Sequence, residues 1–380
     1  MAQKWIVGKR IQIAGSGTDK SDVSKLSYAH SLVRKIVTEF LENGGGFVVT
    51  IGEEPFIKTG ELAKTFDWTI LEMVNCHKKS RKWPSAQGAP VIAVGFENYE
   101  ERIPTNRKAL WNKLIADGKV ELQIIPSEVT FGGIMRQTQS KFGDLLLTIG
   151  GSIGVYHLAQ VYQASKKTII PLNLSLNNSE TSASEALSKH VIKDCKDFFE
   201  YQPVNEALTA YSRLSIKNEN KEIEQFVDIL TSFINHLPPP TAFYVRLLNK
   251  KLPEFNVVEG YFRNVVDPVI TKLGYRRFEM ETDYSDEPFM NIELFTKLHF
   301  SSLVIADLSG IRPNCFLEMG YALGLGKKVI MTAVEGTKLP WDTETIHCHF
   351  WSSDMTDEDR RNALRQFLEK NMNKEALVER

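Results

Sequence analysis

The feature that most constrains the fold is an alternation of short apolar runs with amphipathic stretches between residues 10 and 174. The apolar runs are rich in β-branched residues and show little alternation of apolar and polar side chains. Runs of that kind predict strands that are covered on both faces, as in a parallel sheet. The predicted strands are Ile11–Ala14, Phe47–Ile51, Val91–Val94, Val120–Ile125, Asp144–Ile149 and Thr168–Leu172.

Helical patterns separate these runs, and the clearest is Val23–Leu41, which the sequence Asn43-Gly44-Gly45-Gly46 ends. Strand–helix–strand repetition predicts a doubly wound α/β domain with right-handed crossovers. The same alternation starts again directly after Pro238-Pro239-Pro240, which interrupts any helix or central strand. We therefore predict an N-terminal domain over residues 1–204, a helical linker over 205–240 and a second α/β domain over 241–380.

Composition excludes several classes of protein. The chain has 380 residues, of which 42% are hydrophobic and 24% charged, so it is globular rather than disordered. A net charge of −1 argues against a broad nucleic-acid-binding surface. Four cysteines without a C-x-x-C pair do not form a disulfide framework. Because neither a signal peptide nor an apolar run of about 20 residues is present, we expect a cytoplasmic protein with no membrane or nucleic-acid partner.

Glycine-rich turns follow three of the predicted strands. In open parallel sheets, ligands bind beyond the carboxyl ends of the strands, where glycine lets backbone N–H groups approach a phosphate. Neither a Walker A loop nor a dinucleotide fingerprint is present, because Asp19 and Lys20 occupy positions where those motifs need glycine. The residues predicted to bind a nucleotide signal are Gly15, Ser16, Gly17, Gly52, Glu53, Gly150, Gly151, Ser152 and Gly154.

The segments Ile13–Gly17, Thr148–Gly154 and Lys167–Leu172 resemble the SLOG superfamily, which is Rossmann-like and related to LOG and DprA-type proteins. LOG-type phosphoribohydrolases carry P-G-G-x-G-T-x-x-E, but here Val155 replaces the threonine and the motif glutamate is missing. The resemblance therefore implies nucleotide sensing, rather than catalysis, over about residues 8–175. SLOG domains fused to effector domains in bacterial defence systems have such a role.

The most informative run of the second half is residues 305–328. A buried strand ends at Asp307, and a helix follows from Asn314 or Cys315, which places Glu318 in about its first turn. A carboxylate there suits cleavage of an N-glycosidic bond, because it can stabilise or attack an oxocarbenium ion. Asp307 would bind sugar hydroxyls and Asn314 would orient the sugar or base. A solvated first-turn glutamate and a turn-forming aspartate are the structural alternatives.

This run resembles the nucleoside 2-deoxyribosyltransferase-like family, which reads A-D-[LV]-[TS]-G-x-x-P-N-x-x-x-E-[LM]-G-Y-A and has TIR-like NAD-cleaving relatives. The resemblance covers about residues 241–351 and implies that Glu318 is the nucleophile. The substrate-binding residues that it implies are Asp283, Tyr321, Trp341 and Asp342.

Together these observations predict an α/β chain with two Rossmann-like three-layer domains and mainly parallel sheets. We expect a homo-oligomeric effector in anti-phage defence that binds a small nucleotide signal and cleaves an N-glycosidic bond of NAD or a related nucleotide. No cofactor is required, and no metal is expected, because His347 and His349 have no third ligand nearby. A salvage deoxyribosyltransferase or nucleotide hydrolase, and a non-catalytic nucleotide-binding scaffold, are the alternatives.

Overall fold

The computed structural model describes residues 5–58, 62–77, 82–84, 87–126, 132–177, 181–199, 204–215, 222–278, 290–340 and 347–372. The chain forms two compact units. The first comprises residues 1–84 and 89–238, and the second comprises residues 239–380 together with 85–88.

The first unit is built on a six-stranded, fully parallel sheet. Its strands are β1 (Arg10–Ser16), β2 (Gly46–Thr50), β3 (Val91–Phe96), β4 (Val120–Ile125), β5 (Leu145–Gly150) and β6 (Thr168–Leu172). Their spatial order is β4-β3-β2-β1-β5-β6, so the direction of winding reverses between β1 and β5. The parallel sheet predicted from the apolar runs is confirmed, and the reversal marks the point where such sheets bind ligands.

Helices of the first unit cover both faces of this sheet. They are α1 (Val23–Glu42), α2 (Asp67–Cys76), α3 (Tyr99–Arg102), α4 (Thr105–Ala116), α5 (Gly132–Phe142), α6 (Ile153–Ala164), α7 (Ala183–Lys193), α8 (Val204–Ser215) and α9 (Ile223–Asn235). The predicted helix over residues 23–41 is confirmed as α1. Asp22 caps it by accepting the backbone N–H groups of Ser24 and Lys25.

The predicted linker over residues 205–240 is wrong, because α8 and α9 are part of the first unit. Tyr211 of α8 is fully buried and donates its hydroxyl to the carbonyl of Pro171 in β6, at 2.6 Å. Phe233 of α9 packs edge-on against Phe199, with ring centroids 5.0 Å apart. The two helices complete the first hydrophobic core, and the chain passes between the units at the proline run.

The second unit repeats the architecture with a five-stranded parallel sheet. Its strands are β7 (Thr241–Val245), β8 (Arg276–Phe278), β9 (Leu303–Asp307), β10 (Val329–Val334) and β11 (Cys348–Trp351), in the order β11-β10-β9-β7-β8. Its helices are α10 (Phe255–Tyr261), α11 (Asp267–Lys272), α12 (Met290–Phe300), α13 (Pro313–Gly324) and α14 (Asp357–Asn371), and a π-helical turn (Phe262–Val266) joins α10 to α11.

Two separate hydrophobic clusters lie on the two faces of the second sheet. The π-helical turn, α11 and α14 pack on one face, and α12 and α13 pack on the other. The prediction of two three-layer α/β units is therefore confirmed. In the part of the chain that the structure describes, no helix combines the length and apolar character needed to span a membrane.

Candidate nucleotide-binding and catalytic sites

The carboxyl ends of β1 and β5 meet at the switch point of the first sheet. Gly15 pairs with Ile149 there, and a Cβ atom on Gly15 would lie 1.7 Å from the carbonyl oxygen of Ile149. Gly151 has a φ of +76° and donates its N–H to the carbonyl of Ser16 at 2.9 Å. Glycine is thus required at both positions, and the fold brings two of the three predicted glycine turns together.

Helix α6 begins directly at this switch point. Ser152 precedes its first turn, and Ile153 is 80% exposed. The first N–H groups of a helix have no partner within the helix, and the helix dipole there favours an anion. The first turn of α6 therefore presents backbone donors at the edge of the sheet where a phosphate would bind.

A guanidinium group lies beside that turn. Arg136 of α5 donates its Nε hydrogen to Nδ1 of His157, at 2.7 Å. A Cβ atom on Gly154 would lie only 3.3 Å from Nη1 of Arg136, so the absence of a side chain at Gly154 leaves room for the guanidinium. Because Nδ1 of His157 accepts this bond, the imidazole is held in a fixed orientation. A guanidinium group and the start of a helix thus lie side by side and form a candidate anion-binding position.

Helix α5 also connects this position with the end of β2. Gln139, one turn after Arg136, donates its Nε2 hydrogen to Oγ1 of Thr50, at 2.7 Å. The backbone N–H of Thr50 in turn donates to Oδ1 of Asp67, at 2.8 Å. Asp67 is the first residue of α2 and is half-buried, and desolvation raises its pKa to about 6.

Asp67 and Gln139 are not among the site residues predicted from the sequence. In the sequence, Asp67 stands directly before the largely apolar segment from Trp68 to Val74. An acidic residue in that place is typical of the start of a helix. That signal locates the helix but does not show that its first carboxyl reaches the end of β2.

Three residues predicted to bind the nucleotide signal, after β1 and β2, have contacts within the protein. Glu53 forms an ion pair with Arg102 of α3, at 3.1 Å, and the carbonyl of Gly52 accepts the indole N–H of Trp68. Gly17 is buried and donates its N–H to the carbonyl of Lys64, at 2.8 Å. Gly17, Gly52 and Glu53 thus have contacts within the protein, and their predicted ligand-binding roles stay predictions.

In the second unit, Asp307 lies at the end of β9 and is 1% exposed. Its Oδ1 accepts the N–H of Ser309 at 3.1 Å, and its Oδ2 accepts Thr332 Oγ1 at 2.8 Å and Trp351 Nε1 at 3.1 Å. Burial raises the pKa of Asp307, and these three hydrogen bonds oppose that shift. Both oxygens of Asp307 thus bind groups of the protein core, and its predicted contact with sugar hydroxyls stays a prediction.

Glu318 lies in the second turn of α13, because that helix starts at Pro313 rather than at residue 314 or 315. The predicted first-turn dipole effect therefore does not apply to it. Glu318 is half-buried, and Asn314, one turn earlier, is exposed. Tyr321 follows on the same side, packing edge-on against Phe295 at 4.7 Å.

Glu318 and Asp307 belong to opposite sides of the second sheet. The buried residues of α13 belong to the cluster that contains Val304 and Ala306 of β9. Leu303 and Ile305 of β9 belong to the cluster on the opposite face of the sheet. Because side chains alternate along a strand, Asp307 points to the same face as Leu303 and Ile305. The fold thus places Glu318, Asn314 and Tyr321 on one helix and directs Asp307 to the other face of the sheet.

The exposed side of α13 is smooth, as its glycines predict. A Cβ atom on Gly320 or Gly324 would have no atom within 4 Å among the described residues. Cys315, on the inner side of the helix, is buried, and burial raises the pKa of its thiol to about 12. Cys315 is therefore a packing residue.

A buried charge, not predicted from the sequence, lies at the switch point between β7 and β9. Arg246, directly after β7, is buried and forms an ion pair with Glu259 of α10. Its guanidinium lies 5.3 Å from the centroid of the Phe262 ring. Arg312, directly before α13, pairs with Glu254 at 3.1 Å. These two ion pairs hold the loop after β7 and the loop before α13, at the carboxyl end of the second sheet.

Three predicted substrate-binding residues, Asp283, Trp341 and Asp342, lie outside the described residues. His347 is exposed, whereas His349 is buried and desolvation lowers its pKa to about 4. Within the described ranges, no group of three His, Cys, Asp or Glu side chains could hold a metal ion.

Comparison with known sequences gives a family match over the first unit. A family described as "ATP nucleosidase Cap17-like, N-terminal" matches residues 6–234. The chain is also similar to the ATP nucleosidase Cap17 of Escherichia coli strain KTE188, with 23% identity over 337 residues. That alignment covers 85% of this chain and 66% of the relative, so it extends past residue 238 into the second unit. The chain spans just under two thirds of the length of this curated relative.

Among solved structures, the chain is similar to the DNA processing protein A of Helicobacter pylori, with 14% identity and a TM-score of 0.34. That similarity covers 60% of this chain and 82% of the other. A structure titled TM1055 is 15% identical, with a TM-score of 0.32, and covers 59% of this chain and 99% of its own.

Proposed function

This chain belongs to the Cap17-like ATP nucleosidase family through its N-terminal unit, and from that membership we propose that it hydrolyses the N-glycosidic bond of a nucleoside triphosphate. In this reaction the bond between C1′ of the sugar and the base breaks, and the base leaves with its bonding electrons and takes up a proton. Water supplies the hydroxyl group that C1′ gains.

The observation that carries the nucleotide-binding part of the proposal is the candidate anion-binding position in the family-matched unit. The start of α6 and the guanidinium of Arg136 lie side by side, next to the glycine turns of β1 and β5. Backbone N–H groups and an arginine are the donors that phosphate oxygens require. A nucleotide with several phosphates fits this edge better than an uncharged nucleoside.

For the second unit, we propose that Glu318 supplies the carboxylate that stabilises or attacks the oxocarbenium-like sugar of a substrate nucleotide bound at that unit, separate from the nucleotide that the first unit binds. Its half-buried place on α13 keeps the side chain accessible, and the exposed amide of Asn314 lies one turn away. The open side of Gly320 and Gly324 leaves space for a flat ring along the helix. Asp307 supports this region from the other face of the sheet, through Thr332 and Trp351.

We also propose that a nucleotide signal controls this activity in anti-phage defence, by causing copies of the chain to assemble. The resemblance of the first unit to SLOG sensing domains supports it. A ligand activates an oligomer only if it binds the active state more tightly than the inactive one. A panel of cyclic nucleotides added to the purified chain tests this part.

Incubation of the purified chain with ATP, 2′-deoxyATP or NAD, followed by chromatography, tests the reaction. Release of adenine from ATP, with ribose triphosphate as the second product, is expected. Nicotinamide release from NAD, without adenine from ATP, would instead support the NAD-cleaving alternative. Transfer of deoxyribose from 2′-deoxyATP to an added second base, without net hydrolysis, would support the transferase alternative.

Replacement of Arg136 by glutamine tests the anion-binding position. Loss of one charge-assisted contact to phosphate is expected to weaken ATP binding by about 10- to 100-fold. Lys141→Gln is the matched control, because this exposed lysine lies in the last turn of the same helix. Calorimetric titration at two salt concentrations measures both variants. If the Arg136 variant and the wild-type protein bind ATP with equal affinity, this position is excluded as a phosphate site.

A further inference from the structure

We propose that Asp67 binds a ribose hydroxyl of the nucleotide at the first switch point and makes this site selective for ribonucleotides. The inference rests on the proposed binding of a nucleotide there, and it adds a specificity-determining residue to that site.

The spacing of the strands supports a ribose-binding role for Asp67. β1 lies between β5 and β2, and adjacent strands are about 4.8 Å apart, so the ends of β5 and β2 are separated by about 10 Å. That span is about the length of a ribose with its attached phosphate. A phosphate at the start of α6 would therefore place the sugar toward Thr50 and Asp67.

Helix α5 forms hydrogen bonds at both ends of this span, to α6 and to β2. Arg136 and Gln139 are one turn apart on the same helix, and they bond to His157 of α6 and Thr50 of β2 respectively. Because Thr50 also donates its backbone N–H to Oδ1 of Asp67, the carboxyl group is oriented from the strand itself. One oxygen of the Asp67 carboxyl is thus fixed, in a residue that is half-buried.

A purely structural role does not require a carboxyl group at this position. An asparagine would accept the same Thr50 N–H through its Oδ1, without the cost of desolvating a charge. The raised pKa of Asp67 shows that this cost is present. A carboxylate kept in such a place is suited to accept hydrogen bonds from hydroxyl groups, which an ionised acceptor binds more strongly than a neutral one does.

Binding of ATP, 2′-deoxyATP and 3′-deoxyATP, measured by calorimetry, tests the inference. The measurements use the Glu318→Gln variant, in which hydrolysis is expected to be slow. ATP is expected to bind about 10-fold more tightly than at least one of the two deoxy analogues. Asp67→Asn is expected to remove most of that difference while the thermal midpoint stays equal or rises. Asp117→Asn, at an exposed position, is the matched control.

These measurements distinguish a failure of the role of Asp67 from a failure of the proposed nucleotide site. Equal affinity for all three nucleotides would overturn the role of Asp67 alone, as would an unchanged preference for ATP in Asp67→Asn. A lowered thermal midpoint in that variant, with the preference intact, would assign Asp67 to the fold. Absence of any ATP binding would overturn the proposed nucleotide site and this inference with it.

Discussion

Replacement of Glu318 by glutamine is expected to reduce the release of free base by about 10²- to 10⁴-fold. Glutamine has nearly the same shape as glutamate but lacks the negative charge that stabilises an oxocarbenium-like sugar. The affinity for ATP at the first unit is expected to stay the same, because Arg136 and the start of α6 belong to another core. Chromatographic assay of adenine and calorimetric titration measure the two effects separately.

Glu358→Gln is the matched control for this substitution. Glu358 lies at the start of α14 and its carboxylate is largely exposed, so loss of its charge should not affect turnover. Full activity of Glu318→Gln would remove the second unit from the chemistry. In that case the carboxyl of Asp67, in the family-matched unit, would be the next group to test for catalysis.

The central strands were predictable because they are short apolar runs buried on both faces, as β3 and β5 are along their whole length. Edge strand β8 (Arg276–Phe278) lacks that burial and is correspondingly weak in the sequence. The glycine turns were predictable because the carboxyl ends of parallel strands share one edge. Gly15 and Gly151 illustrate the reason: close backbone contact leaves no room for a side chain.

The partners of these turns were not predictable in the same way. Arg136 and Gln139 reach the site only because α5 packs at a particular rotation on the sheet. Asp67 meets the N–H of a residue 17 positions earlier, and no local pattern encodes that contact. Helices over residues 205–240 were predictable, but a helical pattern does not specify which core a helix covers, and α8 and α9 complete the first one.

Asp307 is the clearest case of a motif residue whose role depends on distant partners. Its carboxylate is bound by Thr332 and Trp351, which follow it by 25 and 44 residues and come from two other strands. A strand-ending aspartate before a glycine-containing loop has the sequence pattern of a ligand-binding residue. The structure makes it the acceptor that ties β9, β10 and β11 together at their carboxyl ends.

Replacement of Asp307 by alanine is therefore expected to lower the free energy of unfolding of the second unit by about 3–5 kcal/mol. Three buried donors, on Ser309, Thr332 and Trp351, would lose their acceptor at once. Asp307→Asn should cost less, because one oxygen remains to accept hydrogen bonds. Urea denaturation followed by circular dichroism measures both variants, with Asp354→Ala at an exposed loop position as the control.

The comparison of stability with activity decides the role of Asp307. A structural acceptor loses stability first, and activity falls only in proportion to the folded fraction. A residue that binds the sugar would behave in the opposite way, with activity lost while the urea midpoint stays within about 0.5 kcal/mol of the unchanged chain. That second result would return Asp307 to the substrate site and would require its hydrogen bonds to Thr332 and Trp351 to break when the nucleotide binds.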